Sequence, residues 1–217
     1  MSQVVVVIGG GGLLARANVL VEPDAVVIAA DSGLDRAREA GLTPDVLVGD
    51  LDSISAGGRM WAYAHDVEIH EFPTDKDVTD TGLALSVAAG TAGATDLLLL
   101  GGDGDRLDHT LGSVIALGAP ELARLESVRA LIGATRIHVL HPGRSVALLD
   151  ELPGTTFSLL ALHGSCTGVT IADARWPLTD ATLPPASTVG ISNETSDQPG
   201  QATQISVAGG VLTVVIP

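Results

Sequence analysis

Four times in the first half of the chain, a short apolar run opens directly into a cluster of glycine and aspartate. Val4–Ile8 leads into Gly9–Gly12, and Val26–Ala30 into Asp31-Ser32-Gly33. Val46–Val48 leads into Gly49-Asp50-Leu51-Asp52-Ser53, and Leu97–Leu100 into Gly101–Asp108. Apolar runs this short, closed by glycine, read as buried strands. Val67–His70 adds a further short strand. Helical stretches lie between them: one ending near Ala40, one over 56–65, one over Thr79–Ala92 and one over His109–Leu125. In the third, Leu83, Val87 and Thr91 fall at helical spacing, with Thr79 as the cap. Strands alternating with helices imply a parallel sheet covered on both faces. Ligands of such sheets bind just outside the carboxyl ends of the strands. All four polar clusters therefore fall on one rim.

The pattern changes near residue 128. Short runs rich in Val, Ile, Leu and Thr recur at 136–140, 145–149, 156–162, 167–171, 204–207 and 211–216, punctuated by Pro and Gly. They read as an antiparallel sandwich or small barrel, with a polar loop at Ala186–Gln204.

With 217 residues, 46% of them hydrophobic, the chain can bury a substantial core in one large domain or two small ones. No apolar run approaches the roughly 18 residues that a bilayer crossing needs. Val4–Ile8 is too short for a signal-peptide core and lacks a basic flank. The single cysteine, Cys166, forms no internal disulfide and suits a reducing compartment. These features point to a cytoplasmic protein. A net charge of −15 argues against a nucleic-acid partner, since phosphate-backbone binding needs clustered Lys and Arg. Of the 11 basic residues only Lys76 is a lysine. A protein this acidic would meet a phosphate ligand through a bridging metal, although surplus acid also serves solubility.

The rim clusters carry the chemistry. In extended chain, alternate side chains point the same way, so Asp50 and Asp52 can converge just past their strand. Two readings fit: a divalent cation such as Mg²⁺ held between them, or a polar turn in an acidic protein. Gly9–Gly12 brings backbone amides close to a ligand but matches neither the dinucleotide fingerprint nor the nucleotide P-loop. Pro73–Asp80 sets the only lysine among Asp75, Asp77 and Asp80 at a helix start. Helix-dipole compensation explains the acids there, and phosphate binding explains the lysine. In Gly101–His109, glycines permit close backbone approach, Arg106 offers a planar fork for phosphate oxygens, and Asp108 adds an acid beside His109.

Taken in order, Asp31-Ser-Gly, Gly49-Asp-Leu-Asp-Ser, Pro73-Thr-Asp-Lys-Asp-Val-Thr-Asp and Gly101-Gly-Asp-Gly-Asp-Arg-Leu-Asp-His closely resemble the thiamine pyrophosphokinase family. Arg175-Trp-Pro-Leu and Gly190-Ile-Ser-Asn resemble its thiamine-binding domain. The resemblance implies a Rossmann-like α/β catalytic domain over 1–130 and an antiparallel β-sandwich thiamine-binding domain over 131–217. It also implies a homodimer with an active site shared between subunits, and Mg²⁺-dependent transfer of diphosphate from ATP to the thiamine hydroxyl, releasing AMP. By the same resemblance Asp50, Asp52 and Asp80 are the metal ligands, and Asp31, Lys76, Thr79 and Arg106 contact ATP or its phosphates. Asp77, Arg106 and Asp108 are the catalytic candidates, while Trp176, Ser192 and Asn193 form the thiamine pocket. The chain departs from the family's habit at Ser32, Gly82, Asp105 and Ser113.

Thiamine's cationic thiazolium suits an acidic protein, and the face of Trp176 can hold a flat cation. The same tryptophan could instead cover the sandwich edge. Two rival functions are a diphosphokinase for a pterin alcohol and a non-catalytic sensor of thiamine or nucleotide.

Overall fold

The computed structural model describes residues 2–11, 17–149, 151–198 and 200–217. Its contacts divide the chain into two units, Met1–Leu125 with Arg129–Gly133, and Glu126–Val128 with Ala134–Pro217.

The first unit contains strands β1 (Ser2–Val7), β2 (Val26–Ala30), β3 (Val46–Gly49), β4 (Glu68–Glu71) and β5 (Ala94–Leu100). Its helices are α1 (Ala17–Leu20), α2 (Gly33–Glu39), α3 (Ala56–Ala64), α4 (Asp80–Gly90) and α5 (Leu107–Ala116). The strands lie in the order β5-β1-β2-β3-β4, all paired in parallel. Val4 to Val7 are all buried, because helices cover both faces of the sheet and leave the strand no solvent side. Val5, Val7, Leu98 and Leu100 pack with Ala37 of α2, while Ala29, Leu34, Leu47, Ala62 and Val67 form a second cluster. The small residues Ala84, Ala88 and Ala89 let α4 lie close against β1, β2 and β3. At the edge, β4 exposes Glu68 and Glu71, charges that discourage a further strand from adding.

From β1 the chain steps outward through β2, β3 and β4, then returns to place β5 on the other side of β1. That reversal opens a crevice beyond the carboxyl ends of β1 and β5, where open parallel sheets bind ligands.

Helix α1 was not foreseen, and two further elements of this unit differ from expectation. The helix foreseen over His109–Leu125 ends as α5 at Ala116, and a separate 3-10 turn follows at Pro120–Arg124. Pro120 disfavours helical geometry in the residue before it, and Ala119 is extended, with φ −59° and ψ 139°. An additional strand, β6 (Ser127–Ile132), lies beside β5 and buries Val128, Ala130 and Ile132. Its Arg129 donates to buried Asp96, with Nε–Oδ1 at 3.1 Å.

The second unit contains β7 (Thr135–Leu140), β8 (Ser145–Leu148), β9 (Thr156–Leu160), β10 (Cys166–Ala172), β11 (Leu178–Leu183), β12 (Asn193–Glu194), β13 (Thr203–Ser206) and β14 (Leu212–Ile216). They form two antiparallel layers, β12-β9-β14-β7 and β11-β10-β13-β8. Phe157, Leu159, Val214 and Ile216 of one layer pack against Val169, Ile171 and Ile205 of the other. Each such side chain, fully buried, contributes roughly 1.5–3 kcal/mol. Strands β11 and β12 were not foreseen. The fold is thus an α/β unit with a parallel sheet, joined in sequence to an antiparallel sandwich. Among the described residues no helix is long and apolar enough to cross a membrane.

Candidate active site

A cleft of about 560 Å³ opens at the carboxyl ends of the parallel strands. Gly9 and Gly10 after β1, Asp31 and Ser32 after β2, and Asp50, Asp52 and Ser53 after β3 line it. Thr74, Lys76, Asp77, Thr79 and Asp80 enter from the approach to α4, and Gly102, Gly104 and Arg106 from the loop after β5. Gly12 lies outside the described residues. Thr79 caps α4 as read from the sequence, its Oγ accepting from the Gly82 N–H at 3.2 Å.

The acids converge because β3 ends on a bare backbone. Gly49 has φ +149°, and a Cβ there would come within 3.1 Å of Asp31 Cβ and 3.2 Å of Asp80 Oδ1. A side chain there would crowd both acids and be strained at this φ, so glycine lets them close over the strand end. Beyond it the chain is not extended, as the sequence reading assumed. Leu51 turns into the left-handed region at φ +63°, and the Asp52 N–H donates to Asp50 Oδ1 at 3.2 Å. Ser53 Oγ donates to Asp52 Oδ1 at 2.7 Å. Asp50 and Asp52 thus meet through a turn pinned by the buried Leu51 side chain.

Asp31, Asp50 and Asp52 each place a carboxylate oxygen within 4.8 Å of the others. Asp31 is only 8% exposed, and its Oδ1 has no hydrogen-bond donor. A buried carboxylate oxygen without a donor is costly, and a cation would relieve it. Three converging hard oxygen donors, one of them orphaned, fit a divalent cation such as Mg²⁺. The sequence grouped Asp50 and Asp52 with Asp80, whereas the structure groups them most tightly with Asp31. The reason is register: Ala30 pairs with Val48, so the residues following β2 and β3 emerge at the same level. Strand adjacency of this kind is invisible in a linear sequence.

Lys76 stands between the other carboxylates, its Nζ 3.4 Å from Asp50 Oδ2 and 3.1 Å from Asp80 Oδ1. Burial works against its charge, but Asp80 and Asp50 outweigh it and hold the ammonium pKa above the usual lysine value. The Asp52 N–H holds Asp50 below the usual carboxylate range, with help from Lys76. Burial pushes Asp31 up; the Ser32 N–H opposes this and the charges of Asp80, Asp50 and Asp52 reinforce it.

Arg106 and Asp108 form an exposed two-pronged pair, Nε–Oδ1 at 2.9 Å and Nη2–Oδ2 at 2.7 Å. The hydrogen bonds from Arg106 lower the Asp108 pKa to about 2. Arg106 lines the cleft; Asp108 does not. Sequence reasoning did not single out Thr74 and Ser53, which also face the cleft, although both sit within the quoted motifs.

In the second unit the structure brings Trp176 and Asn193 together. Asn193 Oδ1 accepts from the Trp176 N–H at 3.2 Å, and its Nδ2 donates to the Trp176 carbonyl at 2.7 Å. Asn193 is buried by this clamp, while the indole stays 50% exposed. Arg175 stacks over the indole at 4.6 Å and pairs with Glu194. Ser192, at φ +61°, adjoins the clamp and donates its N–H to Ser158 Oγ at 3.1 Å.

Carboxylates converging beside a lysine at the open end of a parallel sheet are the equipment of enzymes that move phosphoryl groups with a divalent cation. Sequence comparison narrows that class. Residues 17–126 match the family profile described as thiamin pyrophosphokinase, catalytic domain, and residues 137–212 match thiamin pyrophosphokinase, vitamin B1 binding domain. The chain belongs to the thiamin pyrophosphokinase family; it is an enzyme, a transferase that forms thiamine diphosphate from thiamine. A thiamine pyrophosphokinase of Bacillus subtilis (strain 168) is 27% identical over 189 residues, spanning 87% of this chain and 85% of that one. The crystal structure of a thiamine pyrophosphokinase from Bacillus subtilis superposes with a TM-score of 0.83 at 22% identity, covering 99% of this chain and 98% of that one. That of the thiamin pyrophosphokinase from Geobacillus thermodenitrificans gives 0.77 at 26% identity, covering 98% and 96%.

Proposed function

We propose that the cleft transfers the terminal diphosphate of ATP to the hydroxyl of thiamine, giving thiamine diphosphate and AMP, with Mg²⁺ as cofactor. The observation that carries this reading is the convergence of Asp31, Asp50 and Asp52 beside Lys76. The hydroxyl oxygen attacks the β-phosphorus in line. A new O–P bond forms as the bond from that phosphorus to the oxygen bridging it to the α-phosphorus breaks, and AMP leaves.

Asp50 and Asp52, with Asp31 and Asp80 beside them, would hold Mg²⁺, which when bound neutralises charge developing on the phosphate oxygens. Lys76 and Arg106 orient the triphosphate from the cleft wall. Thr79, Asp80 and Thr81 at the start of α4 line the same cleft, and a helix N-terminus favours an anion. Catalysis of this kind is mostly positioning and electrostatics. Asp77 lines the cleft and is better placed to take the hydroxyl proton than Asp108, whose carboxylate is committed to Arg106.

Trp176, Ser192 and Asn193 hold thiamine, with the indole face not covered by Arg175 available to the ring. The enzyme acts as a homodimer whose subunits share each site, a reading that rests on family resemblance. An ATP-rich, reducing cytoplasm suits it, since its one cysteine is free and buried.

Incubation with ATP, Mg²⁺ and thiamine should release AMP, and Asp50→Asn or Asp52→Asn should abolish the release while leaving the fold intact. AMP released with a pterin alcohol but not with thiamine would favour the pterin diphosphokinase. Binding of thiamine or ATP without AMP release would indicate a sensor.

A further inference from the structure

Leu51 lies between the two carboxylates that the turn brings together, and its backbone is unusual. At φ +63° it sits in a region that side chains other than glycine and asparagine rarely occupy. Something must hold it there. Its side chain is buried among Ala29, Leu34, Leu47 and Ile54. Its carbonyl accepts a hydrogen bond from Arg59 Nη2, a short contact reaching back from α3.

Arg59 is itself fixed. It occupies the first turn of α3, and its N–H donates to the Ser55 carbonyl at 2.9 Å. Ser55 Oγ caps that helix by accepting from the Gly58 N–H at 2.9 Å. Both the N–H and the Oγ of Ser55 donate to the Asp35 carboxylate on α2, each at 2.8 Å. A chain of contacts therefore runs from α2 through the α3 cap to the peptide between Asp50 and Asp52.

We infer that Arg59 is a positioning residue for the cation site: through the Leu51 carbonyl it fixes the turn that aims Asp50 and Asp52 at one ion. This rests on the metal reading given above. Arg59 touches neither carboxylate by hydrogen bond or ion pair in this structure, so it acts through the backbone alone.

Charge and geometry make opposite predictions, which makes the inference testable. Removing a guanidinium near an acid cluster should, by electrostatics alone, strengthen cation binding. Loosening the turn should weaken it, because partners behind a metal's ligands typically control about 10–100-fold of affinity.

Mn²⁺ binding to the full chain, followed by the paramagnetic resonance of free Mn²⁺ without nucleotide or thiamine, separates the two. Arg59→Ala should bind Mn²⁺ at least about tenfold more weakly, and Arg59→Lys, which keeps a donor, should recover most of the loss. Should Arg59→Ala fail to fold, Arg59→Met, which keeps a long side chain but has no donor, carries the same comparison. Asp52→Asn is the reference. If Asp52→Asn binds Mn²⁺ normally, the metal reading fails. If Asp52→Asn loses binding while the Arg59 variants bind as tightly as wild type, or more tightly, the positioning role is overturned.

Discussion

Asp31 carries its charge where the fold supports it least. Its carboxyl is pushed up by burial and by the neighbouring acids, with only the Ser32 N–H in opposition. Between the ordinary carboxylate value and the raised one, the folded state holds more protons than the unfolded chain. Unfolding free energy therefore falls as pH rises through that window. Asp31→Asn should raise the thermal midpoint of the metal-free protein at pH 7. The gain should vanish below pH ~4, where the carboxyl is protonated in both states. Melting curves in EDTA across pH would check this, and a midpoint unchanged or lowered at pH 7 would refute it. Added Mg²⁺ should stabilise wild type more than the variant, since a ligand bound only by the folded state raises its stability. The sequence set Asp50 beside Asp52 on an extended spacing, and the structure brings them together through a turn instead. The sequence could not show that Asp31 joins them, because that depends on which strands are neighbours. Nor could it show that Leu51 bends the chain between them.

At the scale of elements, the cap of α4 links stability to the site. Thr79 Oγ accepts from the Gly82 N–H, and Asp80 one residue later pairs with Lys76. Thr79→Ala should cost about 1 kcal/mol in urea unfolding, while Thr79→Ser should cost little. Equal loss from both would mean that the cap bond contributes nothing and the methyl group does. Strands β1, β2, β3 and β5 of the parallel sheet were easy to read because burial on both faces leaves them largely apolar, whereas the edge strand β4 is half charged. The end of α5 was misread although its cause stood in the sequence, since Pro120 forbids the helix that the apolar spacing suggests. Strand β6 was missed because it follows directly on the stretch read as helix to Leu125; its alternation buries Val128, Ala130 and Ile132, and only the structure shows the Arg129 guanidinium between them matched to buried Asp96. Strand β11 was missed for a different reason: half of its residues are exposed and Asp180 breaks its regularity at φ +48°.

The whole molecule divides its candidate sites, with the acid-lined cleft in the first unit and the clamped tryptophan in the second. Trp176→Ala should raise the Michaelis constant for thiamine by roughly thirtyfold, the equivalent of a desolvated cation–π contact of about 2 kcal/mol. The constant for ATP should barely change; an equal rise in both would make Trp176 structural. If subunits share each site, mixing Trp176→Ala protein with Asp52→Asn protein should restore activity through heterodimers that carry one intact site. A mixture that stays dead, although subunits demonstrably exchange, would refute the shared site. The same division gives each unit its own tryptophan out of the chain's two. Trp61 is stacked on His65 at 4.3 Å with Arg38 over its ring, whereas Trp176 carries Arg175 on one face. Trp61→Phe would leave tryptophan fluorescence from the sandwich alone, and Trp176→Phe would leave it from the α/β unit alone, provided excitation avoids Tyr63 of the α/β unit. The chain thus contains a separate optical reporter for each unit, so that the melting of either can be watched without the other.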